Sequence, residues 1–404
     1  VNTVDTIDGS DLRTEIRELI AKTVPDGWRG IGALSADEAG EFHARWRAAL
    51  RDARLLAPTW PERFGGRGLG VEDHALLFEE LFSHGLPLWN DTDAAGISLL
   101  GNAILHWGSE AIQEQFLPRI LSGEDVWCQG FSEPGAGSDL AAVSTRAILE
   151  SGTWRINGQK IWSSAALRSN WIFMLARTEP DAPTHRGISM LLVPMDQPGI
   201  DARPIRNIRG DDEFCEIFFT DATTDGALIL GERGDGWKVA MSLLGYERGE
   251  TVLYVPWQFD EELQRLVGLA RETGAISDPQ FRARLAGCHV EVAQLKAMGA
   301  EALARLVDGH RPGPEGGVFK VLYSEYHQRA TELALDMLGS EAAVLRGRPS
   351  ATWLRADDPG SPNSPRSWLE VFLNARAESI YAGTNQIQRN IVGELLLGLP
   401  REPR

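Results

Sequence analysis

Three stretches of this sequence carry residue types able to do chemistry. The first, GFSEPGAGSDLAAVSTRA (130–147), crowds glycines and serines together. Such a segment lets backbone N–H groups and small hydroxyls approach an anionic or polar ligand, although an ordinary turn would read the same. It is not a hydrolase elbow of the G-x-S-x-G kind, because Ser132 is followed by Glu-Pro-Gly. In the second, IYAGTNQIQRNIVGELLLG (380–398), the polar turn Gly383-Thr384-Asn385-Gln386 leads into an apolar helix. A helix cap and a ligand contact are both open readings there. The third is a single carboxylate. Trp237, Ala240, Met241, Leu244, Thr251 and Tyr254 form a helical stripe, and Glu247 falls on it. A carboxylate on an apolar face costs desolvation energy unless it has a partner or a task. Burial would raise its pKa, which suits a base that must then hold the proton. The alternative is a salt-bridged surface glutamate on a helix whose face is rotated by one residue.

Metal chemistry is not expected. Cys128, Cys215 and Cys288 are far apart, odd in number and without zinc-ligand spacing. The eight histidines are dispersed and read as ordinary surface or partly buried residues. Lysine occurs only at 22, 160, 238, 296 and 320, so arginine carries nearly all the positive charge.

The elements that must position these residues fall into three stretches. Residues 1–120 read as helices: Phe42, Trp46, Leu50 and Ala53 recur at helical spacing, and VEDHALLFEELFSHG is a second amphipathic helix ended by Gly85 and Pro87. PTWPERFGGRGLG (58–70) between them is a loop; its G-x-G rhythm follows no β-like run and does not read as a nucleotide fingerprint. Residues 121–235 read as a small β domain. In it TWRINGQKIW (153–162) places an N-G turn between two β-like runs, a hairpin signal, and NWIFMLART, HRGISMLLVP and CEIFFTD follow as short strands. Residues 236–404 return to the helical period, interrupted by DGHRPGPEGG (308–317) and ADDPGSPNSPRS (356–367), which read as exposed loops. The expected fold is α+β and multidomain: an N-terminal helical domain, a middle β-barrel-like domain and a C-terminal four-helix bundle.

With 404 residues, 43% hydrophobic and 24% charged, the chain has the composition of a globular protein of two or three domains. Its 40 basic and 57 acidic side chains leave a formal charge of −17, which argues against nucleic acid as a partner. The apolar run at 188–194 is far too short to span a bilayer, and the polar, acidic N-terminal stretch does not read as a signal peptide. A cytoplasmic setting is expected.

Taken together and in this order, PERFGG, SEPGAGSD, NGQKIW, the G-W-K-V-A-M helix start and YAGTNQIQR resemble the acyl-CoA dehydrogenase family over most of the chain. The resemblance implies FAD held between the β domain and the C-terminal helices. A base takes a proton from Cα of an acyl-CoA thioester while Cβ loses a hydride to flavin N5, and an electron-transfer flavoprotein is the implied next acceptor. It implies that Gln129, Phe131 and Ser132 line the flavin, that Trp162 and Ser164 pack beside the isoalloxazine, and that Thr384 and Gln386 are C-terminal cofactor contacts. Ser138 and Arg248 match positions on the CoA side.

The departures from the family pattern decide the mechanism. The usual base is a glutamate directly before the GT of the C-terminal motif; here that position is Ala382. Some relatives with branched or bulky substrates carry the base on the first helix after the β domain, directly before the arginine, and Glu247-Arg248 stands there. The expected catalytic residue is therefore Glu247, with Glu378, one turn before Ala382, a lesser candidate. Ala382 still offers its backbone N–H, which in the family polarises the thioester carbonyl. The R-x-x-F-G segment that reaches a neighbouring subunit's FAD is missing from 270–287. Asp336 replaces the glutamine of Q-x-L-G-G, where it would repel a pyrophosphate. These two changes point to a heteromer of unlike subunits, as in bacterial relatives acting on sterol-type CoA thioesters, or to a homo-oligomer with altered contacts. Two other readings stay open: a non-catalytic partner subunit, and a flavin oxidase or monooxygenase of the same fold.

Overall fold

The computed structural model describes residues 9–310, 313–348 and 359–401; at 9, 10, 36, 91, 247, 248 and 250 only the backbone is described. The chain divides into two compact units, one of residues up to 50, 69–88 and 248 onward, the other of 51–68 and 89–247.

In the first unit, α1 (Gly9–Thr23), α2 (Ala36–Asp52) and α3 (Val71–Ser83) bury their apolar stripes, with Leu12, Ile16, Phe42, Trp46, Leu50 and Leu77 almost solvent-free. Burial on this scale contributes about 1.5–3 kcal/mol per large side chain. In the other unit, α4 (Asp91–Asp93) continues through a wide-turned segment, Ala94–Gly101, into α5 (Asn102–Trp107), and α6 (Glu110–Ser122) follows. The Ser109 hydroxyl caps α6 at Ile112 N, and left-handed Gly123 ends it.

The same unit holds an eight-stranded sheet: β1 (Trp127–Gly130), β2 (Arg146–Glu150), β3 (Thr153–Ser164), β4 (Trp171–Arg177), β5 (Ile188–Pro194), β6 (Ile200–Ile205), β7 (Phe214–Asp225) and β8 (Ile229–Leu230). The order is β6-β7-β3-β2-β4-β5-β8, with β1 added in parallel to β4. β4 and β5 are buried nearly throughout, which is why they read as unbroken apolar runs, whereas β6 at the edge alternates. Phe116 of α6 meets Trp127 and Trp171 edge-on, with centroids 5.3 and 5.0 Å away.

The N-G signal at Asn157-Gly158 marks no hairpin. β3 runs straight through it, and the turn lies earlier, at Ser151-Gly152, between the paired residues Glu150 and Thr153. Both turn residues are left-handed (φ 50° and 82°), as a two-residue hairpin loop requires. Gly158 answers a different need, a close approach of strands. A Cβ there would lie 2.5 Å from Thr145 Oγ1 and 2.7 Å from Thr145 Cα, at a φ of +150°. Gly158→Ala is expected to destabilise the sheet unit by about 1–3 kcal/mol, measured as a lower denaturation midpoint.

The last third supplies α7 (Gly236–Glu272), α8 (Pro279–Val307), α9 (Glu315–Leu338), α10 (Pro365–Glu378) and α11 (Asn385–Ile391). Asp278, Ser364 and Thr384 cap α8, α10 and α11, the first two followed by proline at the first helical position. From residue 248 on these helices form a bundle, in which α9 packs on α8, α10 and α11. α7 approaches α8 closely at Gly299, where a Cβ would lie 2.8 Å from Val252 O. Of the two expected loops, the first ends at α9; in the second Pro359 and Ser364 are buried, and residues 311, 312 and 349–358 lie outside the described residues. Among the described residues no helix is long and apolar enough to cross a membrane, and no group of three or more His, Cys, Asp or Glu could hold a metal ion. The three thiols are free and buried; desolvation pushes Cys128 up to about 12 and Cys288 up to about 11.

Candidate functional site

In the sheet unit, the glycine-serine segment is anchored by one buried ion pair. Glu133, 6% exposed, accepts from Lys160 Nζ at 2.8 Å, from Ser144 N at 2.6 Å and Oγ at 2.8 Å, and from Thr145 N at 2.9 Å. Lys160, wholly buried, also donates to Phe131 O at 3.1 Å. Burial by itself would raise the Glu133 pKa, but the Lys160 ammonium and the other donors outweigh it and hold the carboxyl at about 2. Burial pulls the Lys160 ammonium down to about 8, against the opposing pull of Glu133.

This pair joins the two expected cofactor-binding stretches. Ile161 N donates to Ser132 O at 3.0 Å, so Phe131 and Ser132 lie beside the end of β3. There the strand is bulged: Lys160 pairs with Ile217 and Ser163 with Cys215, leaving one extra residue on β3. The bulge breaks the in-out alternation, with Lys160 and Ser163 buried and Trp162 and Ser164 exposed. Trp162 sits at φ 63°, a costly conformation for a bulky residue, and its indole is 57% exposed with Phe214 edge-on at 6.0 Å. Gln129, half-buried in β1, pairs with Phe173, whose ring meets that of Phe131 at 6.0 Å; Ser138 is exposed at the far end of the segment.

In the other unit, the turn between α10 and α11 holds the second motif. Ala382 and Gly383 are both left-handed (φ 51° and 83°), and Ala382 is exposed. Gln388 Nε2 donates to Ala382 O at 3.1 Å, Asn385 N donates to Ser379 O at 2.9 Å, and Thr384 Oγ1 accepts from Ile387 N at 3.1 Å. Thr384 is thus a helix cap with its side chain already engaged, while Gln386 is exposed.

Glu247 and Arg248 are consecutive in α7, Glu247 the last residue of one unit and Arg248 the first of the other unit's final stretch; their side chains lie outside the described residues. Among the described side chains of α7, Val239, Ala240 and Leu243 are buried in its first part, and Val252, Leu253, Val255, Phe259, Leu263 and Leu266 are among those buried further on, whereas Trp237, Met241 and Leu244 of the expected stripe are only half-buried. Tyr254, two turns beyond position 247, is half-buried, its ring 5.7 Å from Phe78 and 6.5 Å from Phe82 of α3.

Comparison with known proteins is direct. The acyl-CoA dehydrogenase N-terminal, middle and C-terminal domain models match residues 7–124, 128–222 and 234–397, in order. The chain belongs to the acyl-CoA dehydrogenase family. As such it is an oxidoreductase built from a helical, a sheet and a second helical domain, in a family of flavoproteins. It is similar to acyl-CoA dehydrogenase IpdE1 of Mycobacterium tuberculosis, 40% identical over 98% of this chain and 99% of that protein. The human mitochondrial short-chain specific acyl-CoA dehydrogenase is 30% identical, over 90% and 85%. Among solved structures, the Tcur3481-Tcur3483 steroid ACAD (TM-score 0.79, 27% identity, 98% of each chain) and the ChsE4-ChsE5 complex from Mycobacterium tuberculosis (0.78, 27%, 100% of each) are similar.

Against that family pattern two acidic residues find partners. Asp336 is engaged by Arg284 of α8 at 2.6 Å. Glu378 is wholly buried inside the bundle, with its Oε1 bonded to His327 Nδ1 at 2.6 Å. His327, also wholly buried, is not the ordinary histidine that dispersal suggested. The Glu133–Lys160 pair was likewise not singled out from sequence. A signal existed: of five lysines in an arginine-dominated chain, Lys160 and Lys320 are both buried.

Proposed function

We propose that this acyl-CoA dehydrogenase oxidises the Cα–Cβ bond of a bulky, steroid-type acyl-CoA thioester to the 2-enoyl-CoA, with Glu247 as the base. The observation that carries the reading is the replacement of the usual base by Ala382 in a chain that has Glu247-Arg248 on α7 and a left-handed turn at Ala382-Gly383. FAD, when bound, supplies the two-electron acceptor for the hydrogen leaving Cβ. The chain's own residues fit it: an exposed, strained Trp162 with the exposed Ser164 hydroxyl beside it, set next to Phe131 and Ser132 by the Glu133–Lys160 anchor.

In this reading Glu247 takes the Cα proton and retains it, while the exposed Ala382 supplies a backbone N–H to the thioester carbonyl, stabilising the charge that develops there. Ser138 and Arg248 bind the CoA portion, and Gln129, Thr384 and Gln386 complete the cofactor contacts. The steroid-type substrate is supported by likeness to a steroid ACAD. A partner subunit of the same family is supported by likeness to the paired ChsE4-ChsE5 assembly and by the absent R-x-x-F-G segment. An electron-transfer flavoprotein as acceptor and a cytoplasmic setting complete the proposal; acidity and three unpaired thiols favour the latter.

The test is anaerobic mixing of the flavin-loaded protein, co-expressed with a related neighbouring subunit if the chain alone is colourless, with straight, branched and steroid-like CoA thioesters. Loss of the visible flavin absorbance with the steroid-like or branched ester is expected. A loaded protein that no thioester bleaches would defeat the proposal. Rapid air reoxidation coupled to a hydroxylated product would move it to the monooxygenase reading.

A further inference from the structure

The turn 379–384 is short, lies between two helices, is exposed at Ile380 and Ala382, and contains a non-glycine residue in the left-handed region. Such a conformation persists only where its surroundings over-determine it. Gln388 of α11 holds the Ala382 carbonyl from within the motif, and the other polar contacts at the ends of the turn come mainly from α9. Lys320, Ser324, His327 and Gln328 share a face of α9, and all but Gln328 are buried.

At one end of the turn, His327 Nδ1 lies 2.6 Å from Glu378 Oε1, and His327 Nε2 lies 3.2 Å from Glu262 Oε1 of α7. Neither carboxylate is more than 1% exposed. At the other end, Lys320 Nζ donates to Asn385 Oδ1 at 2.9 Å, and Asn385 Nδ2 donates to Ser324 Oγ at 3.0 Å. Between them Gln328 Nε2 donates to Ala375 O at 3.1 Å and to Ser379 Oγ at 3.2 Å. Lys320 and His327 are seven residues apart, two helical turns and about 10 Å along α9. The residues they grip, Glu378 and Asn385, are also seven apart and bracket the turn completely.

A buried cluster of ionisable groups is a poor way to stabilise a helical bundle, since apolar residues of similar volume do as well or better. Its geometry is what apolar packing would not provide: directional bonds at both ends of one short segment. Burial would push the His327 pKa down, but the two carboxylates outweigh this and raise it to about 10, so the imidazole is charged between them.

We propose that Lys320 and His327 are positioning residues: two clamps on α9, at Asn385 and Glu378, that hold the intervening turn so that the Ala382 N–H keeps a fixed direction. This rests on the reading of Ala382 as the thioester donor, and the two parts can be tested apart.

The clamp is tested on the full chain without substrate, by amide hydrogen exchange in Asn385→Ala, which releases one clamp without opening a large cavity, and in His327→Gln, which keeps one donor toward Glu378. Exchange at 380–384 is expected to quicken at least about tenfold in Asn385→Ala and less in His327→Gln, with the middles of α8 and α9 unchanged. A turn as protected in Asn385→Ala as in the parent chain overturns the proposal. So does a rise spread evenly over α8, α9 and α10, which is general loosening. In the loaded enzyme kcat is expected to fall about tenfold in Asn385→Ala at unchanged KM, the pattern of an interaction made only in the transition state. A loosened turn with unchanged kcat overturns the positioning role and points to the donor reading as the part that failed.

Discussion

Glutamine at position 247 is expected to leave FAD bound and to slow flavin reduction by a cognate acyl-CoA by roughly two to four orders of magnitude, the usual contribution of a general base. The amide is nearly isosteric with the carboxylate, so helix α7 and its contacts persist while the proton acceptor is removed. Binding should survive, because the CoA contacts proposed for Ser138 and Arg248 are untouched. A comparison variant sharpens the result. Glu378→Gln removes a carboxylate only four residues before Ala382, yet that group is wholly buried against His327. It should lower stability and leave the chemical step far less affected than Glu247→Gln does. Ala382 is exposed, so a carboxylate introduced there in the Glu247→Gln background is expected to recover part of the rate from the position used by other family members. Stopped-flow absorbance under anaerobic conditions measures all three. Reduction at the parent rate in Glu247→Gln would remove this residue from the mechanism.

The second large effect concerns Lys160→Met, expected to cost the sheet unit about 3–5 kcal/mol, the penalty for breaking a buried ion pair from one side. The loss should lie toward the lower end, because Glu133 keeps its bonds to Ser144 and Thr145. The double variant Glu133→Gln/Lys160→Met should recover much of it, since no charge is then left buried and unpaired. Flavin content should fall with stability, because Lys160 also fixes Phe131 O and thereby the strand beside Trp162. The carboxyl has a folded pKa of about 2 against an ordinary 4.5. Its contribution is therefore complete above about pH 4.5 and disappears as the pH falls through 2. Urea denaturation at several acid pH values checks this: the gap between parent and Lys160→Met should narrow steadily on acidification, and a gap independent of pH would contradict the pairing.

Much of this architecture is legible from residue order. The change from helical period to short β runs and back is a physical change in which faces are buried, and the capping residues Ser109, Asp278, Ser364 and Thr384 stand where helices begin. What misled was local chemistry serving two purposes. Asn157-Gly158 has the composition of a hairpin turn, but here the glycine admits Thr145 and the Asn157 side-chain Oδ1 accepts from Asp221 N, beside a bulge of β7. Apart from the buried Ala240, periodicity on α7 selects half-buried positions, because the buried face differs between the part of the helix in each unit. The rarity of lysine marks Lys160 and Lys320, but the partners of the anchor and of His327 are not legible, because they stand 27 and 51 residues away, distances over which no local pattern runs.

The three sealed cysteines have a practical consequence. Two sit in β strands and one on α8, so each compact unit carries its own dormant label site. Alkylation rates followed peptide by peptide would therefore time the opening of the two halves independently in one unmodified sample, and would show which half yields first when the flavin is withdrawn.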